Sequence, residues 1–137
     1  MLDCLFIGST TQDLFLLVEE PPGSDQRIAA TDIVTTCGGP GSTAAVAFQS
    51  LGGIAGLITA LGDDEQSHFI RKDLEERSLG YLNINTLSGF RSPFSTIQIE
   101  TSGKRCITCF GGCMDGMTLD MLDLEAVRNT KMIHLGG

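Results

Sequence analysis

The chain has 137 residues, enough for one ordinary domain, and 42% of them are hydrophobic, which supplies a core. Acidic residues number 17 against 9 basic ones, for a formal charge of −8, and no basic run exceeds the pairs Arg71-Lys72 and Lys104-Arg105. That pattern excludes a nucleic-acid face, which needs clustered Lys and Arg.

No apolar stretch approaches bilayer length, so no membrane partner is expected. Met1 to Gly8 carries Asp3 and no basic start, and does not read as a signal peptide. Five cysteines is an odd count, placed where strands should be buried. A reduced, cytoplasmic protein is the simplest expectation.

Leu5-Phe6-Ile7 is a short apolar strand that runs into the polar turn Gly8-Ser9-Thr10-Thr11. Leu14 to Val18 is a second apolar run, stopped by Pro21-Pro22-Gly23, and Ile28 to Cys37 is a β-branched strand. Cys37-Gly38-Gly39-Pro40-Gly41 then breaks all regular structure, and Ser42-Thr43 opens a helix through about Leu51. Ile54 to Leu61 is an apolar strand closing on Gly62-Asp63-Asp64. The spacing of Phe69, Ile70 and Leu74 predicts an amphipathic helix over 65–78, capped at its start by Asp63-Asp64 and at its end by Gly80. Tyr81 to Ile84 is a short strand. Phe94 to Phe110 alternates polar and apolar residues around Thr101-Ser102-Gly103, the pattern of a hairpin with one wet face. Thr118 to Asn129 reads as a helix behind a Thr cap, and Met132 to Leu135 as a last strand. Alternating strands and helices imply an α/β fold, with a mainly parallel, Rossmann-like sheet flanked by helices.

The glycine turn is the most informative feature. A Gly-rich turn feeding a helix offers free backbone N–H groups and the positive end of a helix dipole, so a small polar ligand is expected there. Gly39-x-Gly41-x-x-Ala44, with Asp63 further on, also satisfies the dinucleotide fingerprint, but the preceding strand is Thr-rich rather than a buried apolar run. Cys106, Cys109 and Cys113, with His134 downstream, have zinc-like spacing. An odd offset along a strand, however, turns Cys106 and Cys109 to opposite faces, so no metal is expected. His68 and His134 form no nucleophile–base set. Asp13 stands just past the first strand, where open α/β sheets bind ligands.

In this order the parts resemble the N-terminal half of the ribokinase-like (phosphofructokinase-B type) carbohydrate kinases. The matching pieces are Gly8-Ser9-x-x-x-Asp13, the Gly38-Gly39-Pro40-Gly41 turn with its Ala-rich helix, and Leu51-Gly52. They continue with Leu61-Gly62-Asp63-Asp64, the hairpin with Gly103-Lys104-Arg105, and Ile133-His134-Leu135. The resemblance implies an incomplete ribokinase-like domain over 1–137, with lid segments at about 9–37 and 92–112. It implies ATP and Mg²⁺ as cofactors, a sugar or nucleoside-like small molecule as acceptor, and a lid that often serves as a homodimer contact. Asp13 would hydrogen-bond acceptor hydroxyls, Gly38, Gly39 and Gly41 would let backbone approach, Thr11 and Thr43 would tune specificity, and Thr96 would face the acceptor from the lid.

The departures are specific. Thr11 and Thr43 stand where the family usually has Asn, and Pro93-Phe94 where its lid usually begins with Thr-Gly, so an aromatic is expected to narrow the pocket. Nothing matches the family's Gly-Ala-Gly-Asp segment with its catalytic base. Gly112-Cys113-Met114-Asp115-Gly116 echoes it only superficially, in a turn after the lid. Catalytic residues and the ATP-binding C-terminal half are therefore expected to be absent, and the chain alone to be inactive. The last strand would leave one sheet edge and one apolar face uncovered. A non-catalytic sugar-binding or lid-mediated dimerisation module derived from such a kinase is the alternative.

Overall fold

In the computed structural model, which describes residues 1–137, eight strands divide into two four-stranded sheets. The first is wholly parallel: β1 (Cys4–Gly8) lies between β4 (Ala55–Leu61) and β8 (Ile133–Gly136), with β5 (Tyr81–Thr86) beyond β4. Every residue of β4 is buried, which is why it reads as a near-continuous apolar run, interrupted only by Thr59, rather than an alternation. On one face, Ala45 of α1 (Pro40–Ser50) and Ile70 and Leu74 of α2 (Glu65–Glu76) pack on Cys4, Phe6, Ala55, Leu57 and Leu61. On the other, Ala126 of α3 (Leu124–Arg128) covers Leu2, Leu5 and Ile58. β5 and β8 are the edges of this sheet, and Leu135 on β8 is 75% exposed.

The second sheet is built from two separate segments, in the order β3 (Asp32–Gly38), β2 (Thr11–Val18), β6 (Phe94–Glu100) and β7 (Arg105–Phe110). β2 follows β1 after only Ser9 and Thr10, so the second sheet starts at the carboxyl end of a central strand of the first. β3 and β7 flank antiparallel, but β2 and β6 pair parallel, across the long excursion through α1, β4, α2 and β5.

Several boundaries differ from expectation. α1 begins at Pro40, with Gly39 as its cap residue at φ +96°, and Ser42 sits inside the first turn with its hydroxyl donating to the Gly38 carbonyl at 2.6 Å. Pro suits a first helical position because no N–H is needed there. α2 stops at Glu76, and the left-handed residue after it is Ser78 (φ +53°), not Gly80. The expected helix over 118–129 breaks in two. Asp123 carboxylate accepts from the N–H groups of Glu125 and Ala126, so it caps α3 rather than lying inside a longer helix. β3 starts at Asp32, four residues after Ile28. Residues 112–116 form a 3₁₀ turn pinned by buried Cys113. The five thiols are unpaired, but only Cys4 and Cys113 are buried; Cys106 and Cys109 are exposed on β7, against the expectation of buried strands.

Candidate functional site

The site grows from the close approach of two turns. A Cβ on Gly41 would stand 2.7 Å from the Gly8 carbonyl carbon, and one on Gly39 2.7 Å from the Ser9 oxygen. These glycines let the β1–β2 turn lie directly on the start of α1. The Ser9 carbonyl accepts from Gly41 N–H at 3.1 Å and Ser42 N–H at 3.3 Å, while Thr43 N–H donates to the Gly39 carbonyl. Pro40 has no N–H. The free donors expected at this helix start are thus taken by the chain itself. The same bonds leave no cradle for a pyrophosphate, which argues against the dinucleotide reading, and β3 before the turn belongs to the second sheet.

Gly38 serves a different purpose. A Cβ there would collide with the Asp13 carboxylate, so that carboxylate is seated on the bare backbone of Gly38. Thr11 hydroxyl donates to Asp13 Oδ1 at 2.7 Å and fixes the rotation of the group. Asp13 opens on a cleft of about 940 Å³ between the start of α1 and the second sheet. Thr11, Asp13, Gly39 and Thr43 line it together with Ser9, Pro40 and Gly137. Gly38 and Gly41 lie beneath this surface, buried.

Register explains which residues of the second sheet face the cleft. Asp13 pairs with Ser95 and Ser95 with Cys109; one row outward, Val34 pairs with Phe15, Phe15 with Ile97 and Ile97 with Ile107. Ser95, Ile97, Ile107, Cys109 and Phe15 all line the cleft. Thr96 does not join them: it pairs with Leu14 and Thr108 and so lies on the opposite face. Phe94 also turns away, into a smaller hollow with Asp64, Gln66 and Arg91, so the expected narrowing by an aromatic comes from Phe15 and not from Phe94. Cys106 and Cys109 fall on opposite faces of β7.

The connection from β5 into β6 is pinned by two carboxylates. Asp64 accepts from Ser92 hydroxyl (2.6 Å), Ser92 N–H (2.7 Å) and the Ser67 N–H of α2 (3.1 Å), while Ser92 Oγ also accepts from Gly62 N–H. Burial pushes the Asp64 carboxyl up, but these hydrogen bonds from Ser92 and Ser67 outweigh it and leave the group below its ordinary value. Asp63 accepts from Gly89 N–H and Ser88 hydroxyl, which lower it in that order. Burial pushes the Cys37 thiol up to about 12 and raises Cys113, so neither is a poised nucleophile.

Arg105 and Asp115 also line the cleft. Together with Phe15, Ser95, Ile97, Ile107 and Cys109, they are the residues that sequence reasoning missed. The alternation of β6 and β7 was visible, but which parity faces the cleft depends on a parallel pairing to β2 that no local signal carries. No group of three His, Cys, Asp or Glu side chains is gathered to hold a metal. No helix is long and apolar enough to cross a membrane.

A parallel α/β sheet, with a second sheet rising from the carboxyl end of one of its central strands over a cleft, defines a member of the open α/β class. All of residues 1–137 match the pfkB family carbohydrate kinases, and the chain belongs to that family. It is 28% identical over 125 residues to a ribokinase of Dictyostelium discoideum, covering 91% of this chain and 38% of that one. It is 23% identical over 135 residues to an ATP-dependent ribose-1-phosphate kinase of Halopiger xanaduensis, covering 98% and 46%. The fold is shared with the ribokinase structure from Giardia lamblia, at a TM-score of 0.86 and 23% identity over 98% of this chain and 41% of the other. The chain therefore spans less than half the length of these relatives.

Proposed function

We propose that this chain is the acceptor-binding part of an ATP-dependent kinase that phosphorylates a hydroxyl of a sugar. The observation that carries this reading is the Asp13 carboxylate, oriented by Thr11, seated on Gly38 and open to the cleft. A carboxylate accepts from two neighbouring hydroxyls, the group that repeats along a sugar. Thr43, Ser95 and Ser9 add hydroxyl partners around it, and the second sheet serves as a lid that limits water at the reacting hydroxyl. Phosphoryl transfer also needs charge neutralisation at the phosphates and an oriented nucleophile. In this reading the residues around Asp13 supply the acceptor side of that reaction, and the chain does not turn over alone. The relatives' names include both a neutral and a phosphorylated sugar acceptor.

The test is calorimetric titration of the chain with ribose, fructose and a nucleoside. Binding of a sugar that Asp13→Asn abolishes supports the proposal; binding that survives this substitution contradicts it.

A second reading is favoured by one observation. Ile33 and Phe110 are 59% and 52% exposed on the two edge strands of the second sheet, apolar side chains that a non-catalytic module dimerising through its lid would cover. Sedimentation separates the two: that module is a dimer whose association Ile33→Lys disrupts, and it stays inert when a complementary kinase C-terminal half is supplied.

A further inference from the structure

We propose that Asp64 and Ser92 are positioning residues for the acceptor site: together they lock the register in which β6 pairs with β2, and so hold Ser95 beside Asp13. This rests on the acceptor-site reading above and adds the residues that set its geometry.

The pairing of β2 with β6 is the junction in the second sheet that the chain itself does least to fix. β7 follows β6 through the short turn at 101–104, and β3 follows β2 in the chain. β2 and β6 instead pair parallel from either side of the excursion through α1, β4, α2 and β5, with no hairpin turn to set their register. The side chains of β2 do not set it either. Leu14-Phe15-Leu16-Leu17-Val18 is apolar at every position, and of these only Val18 is buried. A slip by one residue therefore exchanges one apolar side chain for another. Its effect on the site is large, because it turns Ser95 away from the cleft and sets Phe94 or Thr96 opposite Asp13.

The lock stands at the entry to β6. Ser92 is 2% exposed, and its N–H and hydroxyl donate to the two oxygens of Asp64 at 2.7 and 2.6 Å. Its own oxygen accepts from Gly62 N–H at 3.0 Å. Pro93, the next residue, is fully buried, and its carbonyl accepts from Gln12 N–H at 3.2 Å. One peptide unit and one hydrogen bond thus connect Ser92 to the neighbour of Asp13.

The backbone there has no room to slide. A Cβ on Gly62 would stand 2.8 Å from Ser92 N, and one on Gly112 (φ +59°) 2.8 Å from Pro93 N. The Arg91 carbonyl accepts from Cys113 N–H at 2.8 Å, and the Cys113 thiol donates to the Ala60 carbonyl at 3.3 Å. Asp64 is held in turn. It caps α2 through Ser67 N–H, and α2 is fastened to the first sheet by buried Ile70 and Leu74. A fully satisfied buried network of this kind specifies one arrangement, where an apolar filling would tolerate several. The core of the first sheet thereby sets the place of the Asp13–Ser95 pair, and a binding constellation loses affinity steeply when displaced by about 1 Å.

The test is calorimetry with ribose and fructose, together with NMR contacts between β2 and β6. It uses wild type, Ser92→Ala, Ser92→Thr, Asp64→Asn, Asp13→Asn and Asp123→Ala. Asn at 64 still caps a helix but turns an amide N–H toward Ser92 N–H, so it breaks the lock and spares α2. Asp123→Ala uncaps α3 on the other face of the first sheet and controls for lost stability. Affinities are read well below the lowest melting midpoint. Ser92→Ala and Asp64→Asn should each weaken the bound sugar at least about tenfold and reduce or replace the Asp13–Ser95 contacts. Ser92→Thr should stay within about threefold, and Asp123→Ala should melt earlier yet bind within about twofold. Either readout keeping its wild-type value in both lock variants overturns the inference, as does an equal loss of affinity in Asp123→Ala. Should Ser92→Ala fail to fold, Asp64→Asn decides alone. In each of those cases sugar binding that Asp13→Asn abolishes keeps the acceptor-site reading. If no sugar binds, or binding survives Asp13→Asn, that reading falls and the positioning role with it, while the cross-strand contacts still decide whether the register is locked.

Discussion

The carboxylate of Asp13 occupies the space that any side chain at residue 38 would need, so Gly38 and Asp13 are fitted to each other as a pair. The glycine is demanded by this contact rather than by its backbone angles, since the positive-φ position in the turn belongs to Gly39. Gly38→Ala should therefore displace the carboxylate and weaken sugar binding at least tenfold, at a stability cost of about 1–3 kcal/mol for an overpacked buried site. The two substitutions should not add. In an Asp13→Ala background the clash is gone, and Gly38→Ala should cost little in a denaturant titration.

Thr11 acts on the same carboxylate from the other side, through the 2.7 Å bond to Oδ1. Thr11→Val keeps the shape and removes the donor. It should weaken acceptor binding by about 1 kcal/mol, close to fivefold, with Thr11→Ser restoring it. Equal binding by Val and Ser variants, measured by calorimetry, would show that the hydroxyl does not orient Asp13.

Asp64 ties α2 to the strand that enters the second sheet. Its carboxyl lies below the ordinary 3.8 in the folded chain. A depressed carboxyl contributes stability that is fully present above that ordinary value and is lost as pH falls below 3.8 through the lower folded value. Thermal melts between pH 6 and pH 2 should show this loss in the wild type and a shallower slope in Asp64→Asn. An unchanged slope would mean that the bonds from Ser92 and Ser67 contribute nothing that titrates.

Cys106 and Cys109 provide an internal control. Both are exposed, yet only Cys109 lines the cleft. Alkylation followed by peptide mass mapping should find both modified in the free chain, with a bound sugar protecting Cys109 and leaving Cys106 reactive. Protection of both, or of neither, would place the ligand elsewhere.

The parts of the fold that were legible in the sequence are those fixed locally. Burial on both faces makes β4 a near-continuous apolar run, and Asp64 announces α2 because a short carboxylate satisfies a free N–H in the first turn of a helix, here that of Ser67. Asp13 and the glycine turn stood out because residues of those types rarely occupy such positions without reason. What was not legible depends on pairing at long range. The family resemblance points to Thr96 and Phe94 at the cleft, but the register of β6 against β2 gives that face to Ser95 and Ile97. The α1 start looked open because nothing local says that the Ser9 carbonyl, more than thirty residues earlier, takes two of its N–H groups. The place of Arg105 on the face of Asp13 is illegible for the same reason, since only the β6–β7 register puts it there.

The most direct test of the acceptor site is an NMR titration of the isotope-labelled chain with ribose and ribose 5-phosphate. The account predicts saturable shifts at Thr11, Asp13, Gly39, Thr43 and Ser95, none at Thr96, and their loss in Asp13→Asn. Shifts centred on the hollow around Phe94 and Asp64, or shifts that persist in Asp13→Asn, would contradict it.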